Sequence, residues 1–200
     1  MIISRITSGL GNQLFQYAAA RQLSLKNHTE LYLDLSYYRY QYETDTPRVF
    51  KLRHFECVLT ARARCITLDG FWQSETYFRG SAEIIRRELT LSTIPSPEFN
   101  GYATQIAGTP MPVSMHVRRG DYVNHPEFSK TFGFVGIDYY TQALEQLQAQ
   151  VDNPTLFVFS DDKEWVRQNL VLPANTVFVE NSGPDSDVAD LVLMSRCYHH

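Results

Sequence analysis

The chain has 200 residues, of which 44% are hydrophobic and 20% charged, a composition that excludes a disordered protein. Its net charge of −4 comes with no basic stripe for duplex nucleic acid, and its three cysteines form no CxxC pair, which fits a reducing compartment. No apolar run approaches the roughly 20 residues of a membrane-spanning helix, and no signal peptide opens the chain.

The first 35 residues predict a βαβ unit, the usual starting point of a parallel sheet. Ile2–Thr7 is an apolar strand that runs into the glycine turn Ser8–Gly11. From Asn12 to Lys26 apolar residues recur at helical spacing, and the alanines among them favour a helix. A second strand is predicted over Glu30–Leu35.

The middle of the chain has weaker periodicity. Residues 36–57 predict a loop rich in tyrosine and arginine, followed by a strand at 66–72 and a helix within 75–91. The segment 92–112 then carries four prolines and two glycines, which is typical of a domain boundary.

After this boundary strands and helices alternate more regularly. Strands are predicted at 113–118, 155–160 and 176–180, and helices at 137–151, 162–170 and 187–198. The fold class is therefore α/β, with two Rossmann-like parallel-sheet domains at residues 1–108 and 109–200. A ligand is expected where the carboxyl ends of the strands meet, and the second sheet is expected to be incomplete.

The first candidate site is the turn Gly9-Leu-Gly11-Asn12-Gln13 between a strand and a helix. Glycines allow a ligand close to the backbone, and the start of a helix offers N–H groups to phosphate. With Asp34 at the end of the next strand, the turn also partly matches a dinucleotide fingerprint, although Leu14 replaces its third glycine. A plain connection between strand and helix is the other interpretation.

The second candidate is the segment from His116 to Tyr122, HVRRGDY, at the end of a predicted strand. Alternation along the strand places His116 and Arg118 on one face. Arg118 and Arg119 are suited to grip a diphosphate with their planar guanidinium groups, and Asp121 could hold one of them. A structural ion pair at the sheet edge is the alternative.

The third candidate is a pair of acids after a strand, Asp161 and Asp162, preceded by Ser160. Both this pair and Asp185 with Asp187 precede predicted helices, so helix capping explains them more simply than a divalent metal does.

Four segments together resemble the α-1,2-fucosyltransferases of glycosyltransferase family eleven. They are GLGNQLFQYA at 9–18, HVRRGDY at 116–122, FVFSDD at 157–162 and DLVLMSRC at 190–197, and the segment FWQSE at 71–75 is similar to a further family segment. The likeness covers the whole chain in the right order.

The resemblance implies a GT-B-like fold and an enzyme that transfers fucose from GDP-fucose to the 2-hydroxyl of a terminal galactose in a glycan, with inversion and without a metal or other cofactor. The catalytic residues it implies are His116, Arg118 and Asp121. The donor-binding residues it implies are Gly9, Gly11, Asn12, Gln13, Arg118, Arg119, Ser160, Asp161, Asp162 and Asp190, the last of these on guanine.

One departure is that family members continue beyond the equivalent of His200 with a segment that completes the donor pocket. A non-catalytic fragment that binds GDP or sugar weakly is therefore the alternative to an active enzyme. In the absence of an anchor the chain resembles the bacterial members of the family, which implies a cytoplasmic protein that can contact a membrane peripherally. A nicotinamide-dependent oxidoreductase and a metal-dependent transferase are further alternatives.

Overall fold

The computed structural model describes residues 1–40, 47–57, 67–120 and 135–200. The chain divides into two compact units, Met1–Ile94 and Pro95–His200. This division lies at the start of the proline-rich segment that the sequence marks as a boundary. The family resemblance implies that residues 1–108 form the acceptor side and residues 109–200 bind GDP-fucose, and both roles stay predictions.

The first unit is built on a parallel sheet. Its elements are β1 (Ile2–Arg5), α1 (Leu10–Lys26), β2 (Leu31–Asp34), β3 (Thr67–Leu68) and α2 (Ala82–Glu88). β1 lies between β2 and β3 and runs parallel to both, with Ile2 opposite Leu31 and Ile3 opposite Thr67. The predicted βαβ unit is thus confirmed.

Helix α1 packs on this sheet through small side chains. Ala18 and Ala20 are buried, as is Tyr17, so the helix can approach the strands closely. The helix predicted within 75–91 is confirmed as the short α2. Two 3₁₀ turns, Glu75–Tyr77 and Arg79–Ser81, precede it. Ser74 caps the first of them by accepting a hydrogen bond from Thr76 N.

The second unit has a parallel sheet in the order β4-β5-β6. Its elements are α3 (Phe99–Ala107), β4 (Pro112–Val117), α4 (Ile137–Gln150), β5 (Thr155–Ser160), α5 (Lys163–Asn169), β6 (Thr176–Phe178) and α6 (Ser186–Met194). The central strand β5 is apolar and buried from Leu156 to Phe159, as expected for a strand covered on both faces. Beyond α6 the backbone returns to the sheet, where His199 pairs in parallel with Val113.

Helix α3 lies inside the segment that the sequence analysis assigned to a boundary. Its prolines stand outside the helix, at 95 and 97 before it and at 110 and 112 after it, where they do not interrupt helical hydrogen bonds. Phe99 and Ile106, seven residues apart, are buried on one face of the helix. The composition of the segment therefore could not reveal the helix, because prolines on both sides of a helix and prolines within a linker give the same composition.

No helix in the described part of the chain is both long and apolar enough to span a membrane.

Candidate functional site

Strands β4 and β5 end side by side and bring two sequence motifs together. Val117, the last residue of β4, lies opposite Ser160, the last residue of β5. Arg118, Arg119 and Gly120 therefore follow one strand at the same sheet edge where Asp161 follows the other. We call residues 118–120 the arginine turn.

A single carboxylate organises the arginine turn. Asp161 Oδ1 accepts a hydrogen bond from Arg119 N at 2.9 Å, and Asp161 Oδ2 accepts one from Gly120 N at 3.1 Å. Asp161 Oδ2 also lies 3.3 Å from Arg118 Nε. A Cβ atom at Gly120 would stand only 2.7 Å from Asp161 Oδ2, so this approach of carboxylate to backbone requires glycine.

The two arginines of the turn are held differently. Arg119 Nε lies 3.0 Å from Asp162 Oδ2, its Cζ stacks 3.9 Å from the centre of the Trp165 ring, and its side chain is 15% exposed. Arg118 is 43% exposed. Arg119 is thus part of the packing that supports the turn, whereas Arg118 is held by Asp161 and remains partly exposed to solvent.

Asp162 and Ser160 organise the start of α5. Asp162 Oδ1 accepts a hydrogen bond from Trp165 N at 3.0 Å, and Asp162 N donates to Ser160 Oγ at 2.9 Å. The helix-capping interpretation of Asp162 is confirmed. The donor contacts predicted for Ser160, Asp161 and Asp162 stay predictions, while their positions place them around the arginine turn.

His116 stands on β4 at the same end of the sheet. Its imidazole lines a cavity of about 500 Å³ that is walled mainly by apolar side chains, among them Leu144 and Leu191. His116 keeps an exposed side chain, but partial desolvation lowers its pKa below the usual 6.5, and the charge of Arg118 lowers it further, against the attraction of Asp161 and Asp190. The imidazole is therefore neutral at neutral pH.

Asp190, on α6, is fixed by a relay of hydrogen bonds. Its Oδ1 accepts from Asn181 Nδ2 at 2.7 Å, and Asn181 Oδ1 accepts from the buried Ser96 Oγ at 2.8 Å. Burial raises the pKa of Asp190, while the hydrogen bond from Asn181 and the charge of Lys163 act in the opposite direction. Sequence reasoning missed Asn181 and Ser96, although a polar residue shortly after β6 was a signal for Asn181.

Asp121, the third predicted catalytic residue, lies outside the described residues. Among the residues that are described, no three His, Cys, Asp or Glu side chains are close enough to hold a metal ion.

The glycine turn of the first unit comprises Ser8, Gly9 and the first residues of α1, Leu10–Asn12, and is held by the side-chain amide of Gln13. The fully buried Gln13 donates from Nε2 to Ser8 O at 3.0 Å and to Val49 O at 2.9 Å, and its Oε1 accepts from Lys51 N at 2.9 Å. In this arrangement the side chain of Gln13 shapes the turn from inside. Its predicted contact with the donor stays a prediction.

The outer side of the glycine turn is open. Gly11 is exposed, and a Cβ atom there would meet nothing within 4 Å. Asn12 Oδ1 accepts a hydrogen bond from Gln73 Nε2, and Arg48 Nη1 lies 3.8 Å from where a Cβ of Gly9 would stand. Sequence reasoning missed Arg48, which brings a positive charge next to Gly9. Asp34, the acid of the dinucleotide interpretation, accepts a hydrogen bond from Ser36 N.

The family model of Glycosyl transferase family 11 matches residues 37–200, which include the arginine turn, the acids after β5 and Asp190. The chain belongs to this family. Its resemblance to family eleven is thereby confirmed, as is its class as a glycosyltransferase. The matched region begins after the glycine turn.

Curated relatives of the family extend the match to the glycine turn. An α-1,2-colitosyltransferase from Escherichia coli is 27% identical over the whole chain and 82% of its own length. The O-antigen biosynthesis glycosyltransferase WbnK from Escherichia coli is 26% identical over 97% of the chain and 83% of its own length. Galactoside α-(1,2)-fucosyltransferase 1 from Sus scrofa is 33% identical over 67% of the chain and 39% of its own length.

Solved structures confirm the predicted fold. The α-1,6-fucosyltransferase NodZ, in crystals soaked with GDP-fucose, superimposes with a TM-score of 0.62 over 98% of this chain and 85% of its own. The sequence identity is 16%, so this likeness concerns the fold, which is of the GT-B type with two parallel sheets.

Proposed function

We propose that the chain transfers fucose from GDP-fucose to the 2-hydroxyl of a terminal galactose in a glycan, with inversion and without a metal. The observation that carries this proposal is an exposed arginine fixed by Asp161 at the carboxyl end of β4, in a member of this glycosyltransferase family. The α-1,2 linkage in the names of two relatives and the GDP-fucose soaked into crystals of a fold neighbour support the linkage and the donor.

Arg118 is the residue that acts on the leaving group. As fucose departs with cationic character, negative charge grows on the β-phosphate of GDP. A guanidinium held in place by Asp161 stabilises that charge more in the transition state than in the bound donor, which is the condition for catalysis. Arg119 and Gly120 keep this guanidinium in position through Asp161 and Asp162.

The remaining donor contacts come from backbone and acid groups. The open backbone of the glycine turn and the first N–H groups of α1 suit the phosphates or the sugar. Ser160, Asp161 and Asp162 lie beside the arginine turn and are the hydroxyl and acid groups that we propose for the nucleotide. The carboxylate of Asp190 can accept hydrogen bonds from the N–H groups on the edge of guanine, and its Asn181 partner leaves the second carboxylate oxygen for that purpose.

The acceptor hydroxyl must lose a proton during inversion. A neutral His116 can take it, and in that case the rate falls as the pH drops through the lowered pKa of His116, below pH 6.5. If His116 instead positions the phosphate and Asp121 acts as the base, replacing His116 lowers the rate without moving this acidic limb.

The test is turnover of GDP-fucose by the purified chain in the presence of a β-galactoside disaccharide, measured as GDP release. NMR of the product establishes the linkage and whether the anomeric configuration is inverted. Excess chelator should leave the rate unchanged, and loss of the rate would overturn metal independence. Binding of GDP without turnover would favour the non-catalytic alternative, and binding of NAD but not GDP would favour the oxidoreductase.

The donor sugar has a second candidate because a relative that aligns with the whole chain is named a colitosyltransferase. A colitosyl nucleotide in the same assay distinguishes the two sugars. Turnover of that nucleotide together with none of GDP-fucose would replace the sugar in the proposal while leaving the role of Arg118 intact.

A further inference from the structure

Residues 69–77 of the first unit form an aromatic loop around a cavity of about 340 Å³. Two of its aromatic side chains, Phe71 and Tyr77, are each 51% exposed. Asp69, Gln73 and Ser74 line the same cavity and supply polar groups. Exposed aromatic rings beside hydroxyl and carboxylate groups are an unusual combination for a surface that contacts only water.

The backbone of the aromatic loop is built to hold an indole in one place. Trp72 has a φ of +51°, in the left-handed region that costs a bulky residue about 1–3 kcal/mol, so the surrounding structure must impose it. Gly70 has a φ of +156°, and a Cβ there would lie 3.2 Å from the indole ring. Tyr77 packs edge-on against Trp72 with ring centres 5.3 Å apart.

One polar group in the loop is left unpaired. The indole Nε1 of Trp72 is buried and has no hydrogen-bond partner among the described residues. Backbone strain together with a buried unpaired donor is a combination that lowers stability, and in native proteins it concentrates at sites of function.

The aromatic loop is tied to the glycine turn of the same unit. Gln73 Nε2 donates a hydrogen bond to Asn12 Oδ1, so the cavity lies next to the turn that we assign to the donor. An acceptor glycan must place its hydroxyl close to the donor sugar, and a pyranose presents both an apolar C–H face and a ring of hydroxyls. The aromatic and polar groups of the loop match those two kinds of surface.

We propose that the aromatic loop is the subsite for a sugar ring of the acceptor glycan, with the exposed rings of Phe71 and Tyr77 on its C–H surface, Trp72 supporting Tyr77 from behind, and the loop's polar groups on its hydroxyls. This proposal rests on the proposed function, because it requires that the second substrate is a glycan.

The test compares Phe71→Ala and Tyr77→Ala with Tyr40→Ala, a control in the same unit whose ring is 78% exposed and lies outside the loop. Each loop variant should raise the KM for the galactoside about tenfold, as expected for the loss of one stacking ring, while the affinity for GDP stays the same. Tyr40→Ala should change neither. An unchanged acceptor KM in both loop variants would overturn the subsite.

A binding measurement separates this proposal from the proposed function. Trp72 and Trp165 are the two tryptophans of the chain, so a galactoside added without GDP-fucose should alter the emission of the wild-type protein and not that of Trp72→Phe. If GDP-fucose is not turned over but this response is present, the donor assignment is wrong and the subsite stands. If turnover is present and Trp72→Phe responds like the wild type, the subsite is wrong.

Discussion

Each unit has a turn directly after a strand, the glycine turn after β1 and the arginine turn after β4. Different side-chain groups hold the two turns in place. The glycine turn is fixed from inside by the neutral amide of Gln13, which bonds to Ser8, Val49 and Lys51. The arginine turn is fixed by the carboxylate of Asp161, which bonds to its backbone and to Arg118. One turn offers open backbone, and the other offers a positive charge.

Because the two turns are held differently, mutations at Gln13 and at Arg118 should affect different properties of the protein. Loss of Gln13 leaves buried backbone groups without partners and costs mainly stability. Loss of Arg118 removes a partly exposed charge, so under the proposed function we expect it to lower mainly the rate. Variants at the two turns therefore test the comparison directly.

The largest effect is expected for Arg118→Ala. By analogy with the loss of an oxyanion donor, transfer from GDP-fucose should slow by about a hundredfold or more, with little change in melting temperature. Arg118→Lys should not restore the rate, because an ammonium group lacks the planar fork of a guanidinium. Initial rates of GDP release at saturating acceptor measure both variants.

The matched control is Arg167→Ala in the same unit. Arg167 stacks 4.1 Å from the ring centre of Phe178 and lies 3.4 Å from Glu180, so it has comparable contacts away from the arginine turn. Its rate should equal that of the wild type. Arg118 has no part in the chemistry if Arg118→Ala and Arg167→Ala turn out equally active.

Gln13→Ala should lower the free energy of unfolding by about 2 kcal/mol, because three hydrogen bonds are lost at a fully buried position. Chemical denaturation of the purified variant measures this change. Gln168→Ala, which removes a surface bond to Glu164, should change stability by less than about 0.5 kcal/mol. Equal stability of the two variants would show that Gln13 does not hold the glycine turn.

Much of this architecture follows from local patterns in the sequence. The βαβ unit and the apolar strand β5 are strongly periodic, and polar residues at strand ends pointed to the arginine turn and to Asp161. The opposite roles of Arg118 and Arg119 could not be predicted, because they depend on Trp165 and Asp162, some 43 to 46 residues away along the chain. The Ser96–Asn181–Asp190 relay likewise joins residues that only the fold brings together.

An intermediate effect is expected for Gly120→Ala. The new methyl group would stand 2.7 Å from Asp161 Oδ2 and displace the carboxylate that positions Arg118, so kcat should fall by about tenfold, or 1.4 kcal/mol. Gly101→Ala is the control, since a Cβ there meets nothing within 4 Å. A Gly120→Ala enzyme with wild-type kcat would mean that the contact with Asp161 does not position Arg118.

The smallest effect is a change in stability at Asp190. Burial raises the pKa of its carboxyl above the ordinary 3.8, so its contribution to stability is present below that pH and is lost as the pH rises through the raised value. Asp190→Asn removes the buried charge and keeps an oxygen for Asn181. Its melting temperature should therefore be slightly higher than that of the wild type at pH 7, and the difference should vanish below pH 3.8.

The same variant should lose affinity for GDP, because its one oxygen bonds to Asn181 and its NH₂ group is a donor where guanine presents N–H donors. Calorimetric titration with GDP and with IDP, whose base lacks the 2-amino group, measures this loss. Wild type should prefer GDP, and Asp190→Asn should bind the two alike. If the variant melts at a higher temperature at pH 7 but still prefers GDP, the stability effect of the Asp190 charge is confirmed and its contact with guanine is refuted.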